Sequence, residues 1–168
     1  LGLTYPYMEA RMDDEPGIKQ ENELLQLVTF AISEEEFGIE ILRVQEIIRI
    51  MPITKVPNSP PAVEGVINLR GRVIPVIDLR KRFGMPARDY DNQTRIIVIE
   101  IHGMIIGFVV DGVSEVLRIK ADTVEAPPAV VAGVESEYIK GVGKLDDRLL
   151  ILLDLDKLFS REEMRQGH

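Results

Sequence analysis

The chain of 168 residues contains no cysteine and no tryptophan, and only two histidines. Without cysteine there are no disulfides, no thiolate metal ligands and no thiol nucleophile. That composition suits a reducing compartment. His168 is the last residue and His102 falls in a predicted hairpin turn; neither has a serine partner in a G-x-S-x-G setting. The phosphate-binding patterns G-x-x-x-x-G-K-[ST] and G-x-G-x-x-G are absent, and Gly141-Val142-Gly143-Lys144 runs on into Leu145 instead of a hydroxyl residue. Asp146-Asp147 and Asp154/Asp156 are carboxylate pairs without the spacing of a calcium loop. These absences read as a non-enzyme with neither cofactor nor metal.

Aromatic and positively charged residues are also scarce. Aromatics make up 5% of the chain, and 20 Lys and Arg face 28 Asp and Glu, for a net charge of -8. An acidic chain repels phosphate, and single-stranded nucleic acid needs a basic groove with stacking rings. The one basic cluster, Arg80-Lys81-Arg82, reads as the exposed face of a short helix. Nucleic acid is therefore not an expected partner, although small β-barrels do serve that purpose and an oligonucleotide-binding barrel stays as a distant alternative. Long apolar runs are missing too. The run Met104–Val110 has the length of a strand, well short of the roughly 18 residues a membrane helix requires. Direct membrane insertion is not expected. Residues 1–22, polar and mixed with Asp13-Asp14-Glu15 and Pro16-Gly17, lack the pattern of a secretory signal and read as an N-terminal tail. Together these points favour the cytoplasm.

What the chain does have is β-branched apolar residues, 20 Ile and 17 Val, whose side chains suit a pleated surface. Their runs are short and broken by Gly, Pro, Asp and Asn. Strands are expected over 24–32, 37–41, 44–50, 65–69, 72–77, 94–101, 104–110, 113–119, 139–143 and 148–154. Residues 96–101 and 149–153 are apolar at both parities, so both faces must be covered. Most connections are too short for parallel crossovers. Small barrels packed on one another, with some strands touching two cores, satisfy both conditions. The expected class is all-β. Helix is confined to a turn or two at Asp78–Phe83, stopped by Gly84, and to Asp154–Gln166, where Ser160-Arg161-Glu162-Glu163 fits a capping box that restarts the helix.

The chain also repeats itself. At an offset of 69, residues 38–54 lie over 107–123 with Gly38/Gly107, Val44/Val113, Glu46/Glu115, Arg49/Arg118, Ile50/Ile119 and Thr54/Thr123 identical. At an offset of 76, residues 64–84 lie over 140–160 with Gly65/Gly141, Val66/Val142, Leu69/Leu145, Arg72/Arg148, Asp78/Asp154, Leu79/Leu155 and Phe83/Phe159 identical. The offset grows because the second unit carries a longer loop near 126–138. Two units of about 70 residues each sit at the size where a lone core is marginal, so they should share a buried contact. The copies differ where Asn68-Leu69-Arg70-Gly71 meets Lys144-Leu145-Asp146-Asp147. Arginine has become aspartate at one structural place, which marks Arg70 as a residue with a task of its own.

These residues resemble the chemotaxis coupling protein family (CheW). The resemblance rests on Phe37-Gly38-Ile39 followed by Val44-Gln45-Glu46-Ile47, and on Ile53-Thr54 with Pro57 and Pro60. It continues through Gly65-Val66-Ile67-Asn68-Leu69-Arg70-Gly71 into Pro75-Val76-Ile77-Asp78-Leu79, then Gly107 with Val110-Asp111, and Gly141-Val142 ahead of Leu153-Asp154. It spans about residues 24–160. It implies two packed five-stranded SH3-like barrels and a non-catalytic adaptor that joins a chemoreceptor's cytoplasmic hairpin tip to the regulatory domain of the histidine kinase CheA. The expected layout is a tail over 1–22 and a CheW-like domain over 23–160. Within it, the first barrel covers about 37–88 and the second about 93–155, with strand 24–32 shared; a C-terminal helix or tail occupies 156–168.

The implied receptor groove lies between the barrels. Val44 sits beside it, Gly107 leaves room for close approach, and Arg70 with Glu46 forms an ion pair at its edge, helped by Asn68 and Gly71. The kinase patch is assigned to Ile39, Ile41, Ile53 and Val56. The chain is expected to be a monomer on its own and to be recruited to membrane-associated receptor arrays. Two other readings remain open: a CheW-like regulatory domain of a larger kinase, or a receiver-fused coupling protein. The N- and C-terminal stretches read as free ends, which favours the stand-alone adaptor.

Overall fold

The computed structural model describes residues 23–159. All ten expected strands are present, with ends within two residues of their expected positions. They are β1 (Leu24–Ile32), β2 (Glu35–Glu40), β3 (Val44–Arg49), β4 (Val63–Leu69), β5 (Arg72–Asp78), β6 (Arg95–Ile101), β7 (Met104–Val110), β8 (Gly112–Lys120), β12 (Ile139–Lys144) and β13 (Leu149–Leu153). Three two-residue strands lie between β8 and β12, the last two in the loop expected near 126–138: β9 (Val124–Glu125), β10 (Val130–Val131) and β11 (Val134–Glu135). They are too short to carry a periodicity. Helix α1 (Leu79–Arg82) is capped by Asp78, whose Oδ1 accepts the Arg80 amide at 2.9 Å, and the chain turns away at Gly84 with φ 73°. Helix α2 (Leu155–Leu158) starts on Asp154 in the same way. The continuation toward Gln166 and the Ser160 capping box lie outside the described residues.

Two sheets carry the fold. One has the order β8-β1-β2-β13-β12-β9 and the other β3-β6-β7-β5-β4. Each curls into a small barrel. In the second sheet the chain after β3 returns to β4 through a Thr54–Val66 bridge; in the first, the chain after β8 bends at a short 3-10 turn and pairs with β12 as β9.

This order corrects the expected barrel boundaries. Hairpin β1–β2 belongs wholly to the barrel of the second repeat, and hairpin β6–β7 to that of the first. The barrels therefore do not divide as 37–88 and 93–155, because each repeat lends its opening hairpin to the other. The registers keep the internal symmetry. Val76 pairs in parallel with Gly107 as Leu152 does with Gly38. The bulge at Val63/Gly65 recurs at Ile139/Gly141.

Strands that are apolar on both faces touch two cores. Ile97, Ile99 and Ile101 of β6 point into a cluster between the sheets, while Ile96 and Val98 point into the first repeat's barrel. Ile151 and Leu153 likewise face the central cluster, and Leu150 and Leu152 the other barrel. All five phenylalanines of the chain run through the central cluster as one series, Phe83-Phe37-Phe30-Phe108-Phe159, with ring centroids 5.7 to 6.0 Å apart. The few aromatics are thus spent on joining the repeats, where their large buried area counts most.

The connection between the repeats, residues 84–94, is strapped across the first barrel. Asp111 accepts two bonds from Arg80 at 3.0 and 2.7 Å, one from Arg88 at 3.1 Å and one from the Ser33 amide at 2.7 Å. Burial alone would raise its pKa, but the Arg80 bonds, the Ser33 amide and the Arg88 charge outweigh burial and hold the carboxyl below its ordinary value. A depressed acid stabilises the fold above its unfolded pKa, and that contribution is lost as the pH falls through the lower folded value. Asp111→Asn is therefore expected to cost about 1–3 kcal/mol at neutral pH. The gap to the parent should begin to narrow as the pH drops below the ordinary carboxylate value of 3.8 and close only below the still lower folded value. Urea unfolding at several pH values measures both.

Candidate functional site

The β4–β5 turn is where Arg70 departs from its twin. Leu69 and Arg72 pair across a two-residue loop, and the loop residues Arg70 (φ 53°) and Gly71 (φ 85°) are both left-handed, the geometry of a primed hairpin turn. Gly71 is needed for its φ alone, since a Cβ there would meet nothing within 4 Å. Asn68 Oδ1 accepts the Gly71 amide at 2.9 Å and locks the turn. Arg70 is thereby held out from the barrel end, its side chain 68% exposed, and its guanidinium donates to Glu46 on β3.

Glu46 follows a β-bulge between Val44 and Glu46, which bends the strand locally and re-aims its side chains. Val44 is half-buried, packed against the central cluster between the sheets. Arg70, Glu46, Asn68 and Gly71 therefore come together, with Val44 two positions along the same strand. Opposite Asn68, Val73 is 68% exposed and adds an apolar side chain to the outer face of the hairpin.

Other expected contacts are placed differently. Gly107 is buried in β7, and a Cβ there would meet Ile96 Cγ2 at 2.7 Å; the space it leaves is filled by the first barrel's own core. Ile39 is 2% exposed within the central cluster and offers no surface. Ile41 packs against that same cluster and Ile53 against the first barrel's core, while Val56 is half-buried.

The second repeat holds a pair that sequence reading did not single out. Glu115, the twin of Glu46, receives Arg148 at 2.9 Å, and Arg148 also reaches Glu36 at 2.6 Å and Asp147 at 3.1 Å. The Glu46/Glu115 and Arg72/Arg148 identities were the available signal. The two sites differ in how much of the arginine is committed. Arg148 answers three carboxylates and is 36% exposed; Arg70 answers one and keeps further donors facing solvent.

Among the described residues no group of His, Asp and Glu side chains could hold a metal ion, and no helix is long and apolar enough to cross a membrane. The family described as CheW-like domain matches residues 26–163. The chain belongs to that CheW-like family. It is 42% identical over 139 residues to the chemotaxis protein CheW of Klebsiella aerogenes, covering 83% of this chain and 84% of that one. Against the CheW of Helicobacter pylori it is 35% identical over 156 residues, covering 92% and 94%. The crystal structure of the scaffolding protein TtCheW from Thermoanaerobacter tengcongensis superimposes with a TM-score of 0.77 at 40% identity, covering 84% of this chain and 91% of that one. The protein is a coupling adaptor of chemotaxis, built on the same scaffold as its CheW relatives.

Proposed function

We propose that this adaptor joins the cytoplasmic hairpin tip of a methyl-accepting chemoreceptor to the regulatory domain of the histidine kinase CheA, in the cytoplasm beneath membrane-associated receptor arrays, without catalysing a reaction. The observation that carries the reading is the Arg70–Glu46 pair, held out from the first barrel by a locked turn; we take it to mark one edge of the groove between the barrels. A helical hairpin laid along that groove would place its apolar face against Val44. It would take charge-assisted hydrogen bonds from the donors Arg70 keeps in solvent. Gly107 and Ile39 act from beneath, through packing. On the kinase side, Ile41, Ile53 and Val56 form the patch.

Arg70→Asp tests the receptor contact. An exposed ion pair contributes about 0–1 kcal/mol to folding, so the melting temperature should barely move. Co-sedimentation with a receptor signalling fragment should weaken at least about tenfold, the equivalent of about 1.4 kcal/mol, while kinase binding assayed alone stays at the parent level. Receptor binding at full strength in a folded Arg70→Asp protein would remove Arg70 from the interface.

A further inference from the structure

The chain crosses from one sheet to the other through two short segments. Residues 41–43 carry it from β2 to β3, and Asp111 alone carries it from β7 to β8. The offset of 69 lays these crossings over each other, with Leu42 on Asp111. They are finished in opposite ways. At its crossing the mostly buried Asp111 is an anchor that accepts bonds from Arg80 of α1, from Arg88 of the strap 84–94 and from the Ser33 amide. Arg80 also donates to the Pro86 carbonyl at 2.8 Å, so the chain's own strap fills that corner.

At the other crossing the arginine–aspartate pair returns with its polarity reversed. Asp156 of α2 stands at the place of Arg80 by the offset of 76, and Arg43 donates to it at 3.3 Å, at the surface. Leu42 is left in the anchor's place. It is 90% exposed, more than any other large apolar side chain among the described residues. A single leucine on a surface is ordinary; what separates this one is its display. The 3-10 turn Ile41–Arg43 is closed by the Val44 amide donating to the Ile41 carbonyl. Ile41 and Val44 pack against the central cluster on either side of it, and Arg43 is tied to Asp156. A leucine on a turn fixed at both flanks has less freedom to lose on docking than one on a loose loop.

We propose that Leu42 is the apolar knob by which the protein grips the receptor hairpin, entering a hole between side chains of one receptor helix as a coiled-coil knob does. The inference rests on the receptor reading above and adds a chemistry to it: beside the group that meets the donors of Arg70, the receptor helix presents an uncharged apolar hole. The crossing carries Leu42 between the barrels, where the receptor's groove is assigned, and Val44 of that groove lies two positions along the same segment. A groove between twin barrels could accept a helical hairpin in two opposite orientations. Leu42 against Asp111 and Arg70 against Asp146 both break that symmetry on the side of β3, which Leu42 precedes and whose Glu46 Arg70 holds. The receptor therefore docks in one orientation.

Full-length Leu42→Ser, with Arg70→Asp beside it, tests this by co-sedimentation with a receptor signalling fragment at low and at high salt. Leu42→Ser should melt with the parent and bind the receptor at least about tenfold more weakly, with kinase binding assayed alone unchanged. Its deficit should keep the same fold-change in high salt, since an apolar contact is not screened, whereas the Arg70→Asp deficit should shrink. Leu42→Met should recover most of the binding. A folded Leu42→Ser that binds receptor at parent strength while Arg70→Asp is impaired would overturn the knob and leave the receptor reading standing. A parent chain that fails to bind the receptor fragment would overturn both. Kinase binding lost in Leu42→Ser with receptor binding intact would place the contact on the kinase and equally overturn the proposal.

Discussion

Gly65→Ala should be the most damaging single-methyl change among the described glycines. Gly65 has φ 154°, and a Cβ there would lie 2.2 Å from the Thr54 carbonyl oxygen and 2.8 Å from its carbon. Both are backbone atoms of the segment that closes the first barrel through the Thr54–Val66 bridge. A side chain can swing aside, but this carbonyl accepts the Val66 amide at 2.8 Å while the Thr54 amide donates to the Val66 carbonyl at 2.9 Å, so Thr54 can retreat only by giving up that bridge. The expected loss is about 3 kcal/mol or more, which lowers the melting temperature by roughly 6–12 °C. Gly141→Ala should cost less. Its nearest obstacle at 2.3 Å is Val124 Cγ1, the end of a side chain, with the Glu125 oxygen at 3.1 Å. Gly71→Ala, left-handed but unobstructed, should cost about 1 kcal/mol. Thermal melts of the three variants give the order, and Gly71→Ala proving as harmful as Gly65→Ala would refute crowding as the cause.

The same glycine pair shows what could be read from the sequence. Gly65/Gly141 coincide between the repeats because both barrels close by passing a chain segment over a β-bulge, and only a residue without Cβ fits beneath. Conformational demands of this kind leave an identity at a fixed offset. So did the Glu46/Glu115 bulges, and so did Asp78/Asp154 as helix caps. Partner choice leaves no such mark. The hairpin β1–β2 is the twin of β6–β7, so pairing within a repeat and pairing across repeats put the same residues at the same spacing. The offset analysis could not distinguish them, and the barrel boundaries drawn from it followed chain order.

The site was legible for a related reason. Arg70 stood out because its twin is Asp146, and the primed turn that displays it needs Gly71, which the sequence shows. Gly107 and Ile39 looked like surface residues only because a one-dimensional pattern does not say which face of β2 or β7 meets a second sheet. Arg148 was hidden in plain identity with Arg72. It took coordinates to show that Glu115 draws its arginine from the end of β13's hairpin, whereas Glu46 draws its own from the middle of a turn.

Phe108→Ala should cost about 3–5 kcal/mol, and the form of the loss matters more than its size. Phe108 is fully buried, pairs with Ile97 and Ile77, and packs with tilted rings between Phe30 of β1 and Phe159 after α2. It therefore touches elements of both repeats at once. Because each repeat lends its hairpin to the other's sheet, neither barrel can open without exposing part of its neighbour's core. Unfolding should stay a single transition, with amides in β4–β5 and β12–β13 losing protection together in both parent and variant. Ile74→Ala offers the sharper comparison. Ile74 belongs to the first barrel's own cluster, away from the phenylalanine series. Two separate barrels would confine that damage to one half. Hairpin exchange spreads it, so β12–β13 should exchange faster in Ile74→Ala as well. Protection of β12–β13 unchanged while β4–β5 opens would show that the repeats fold independently, and the exchanged hairpins would then no longer explain why two marginal units of about 70 residues hold together.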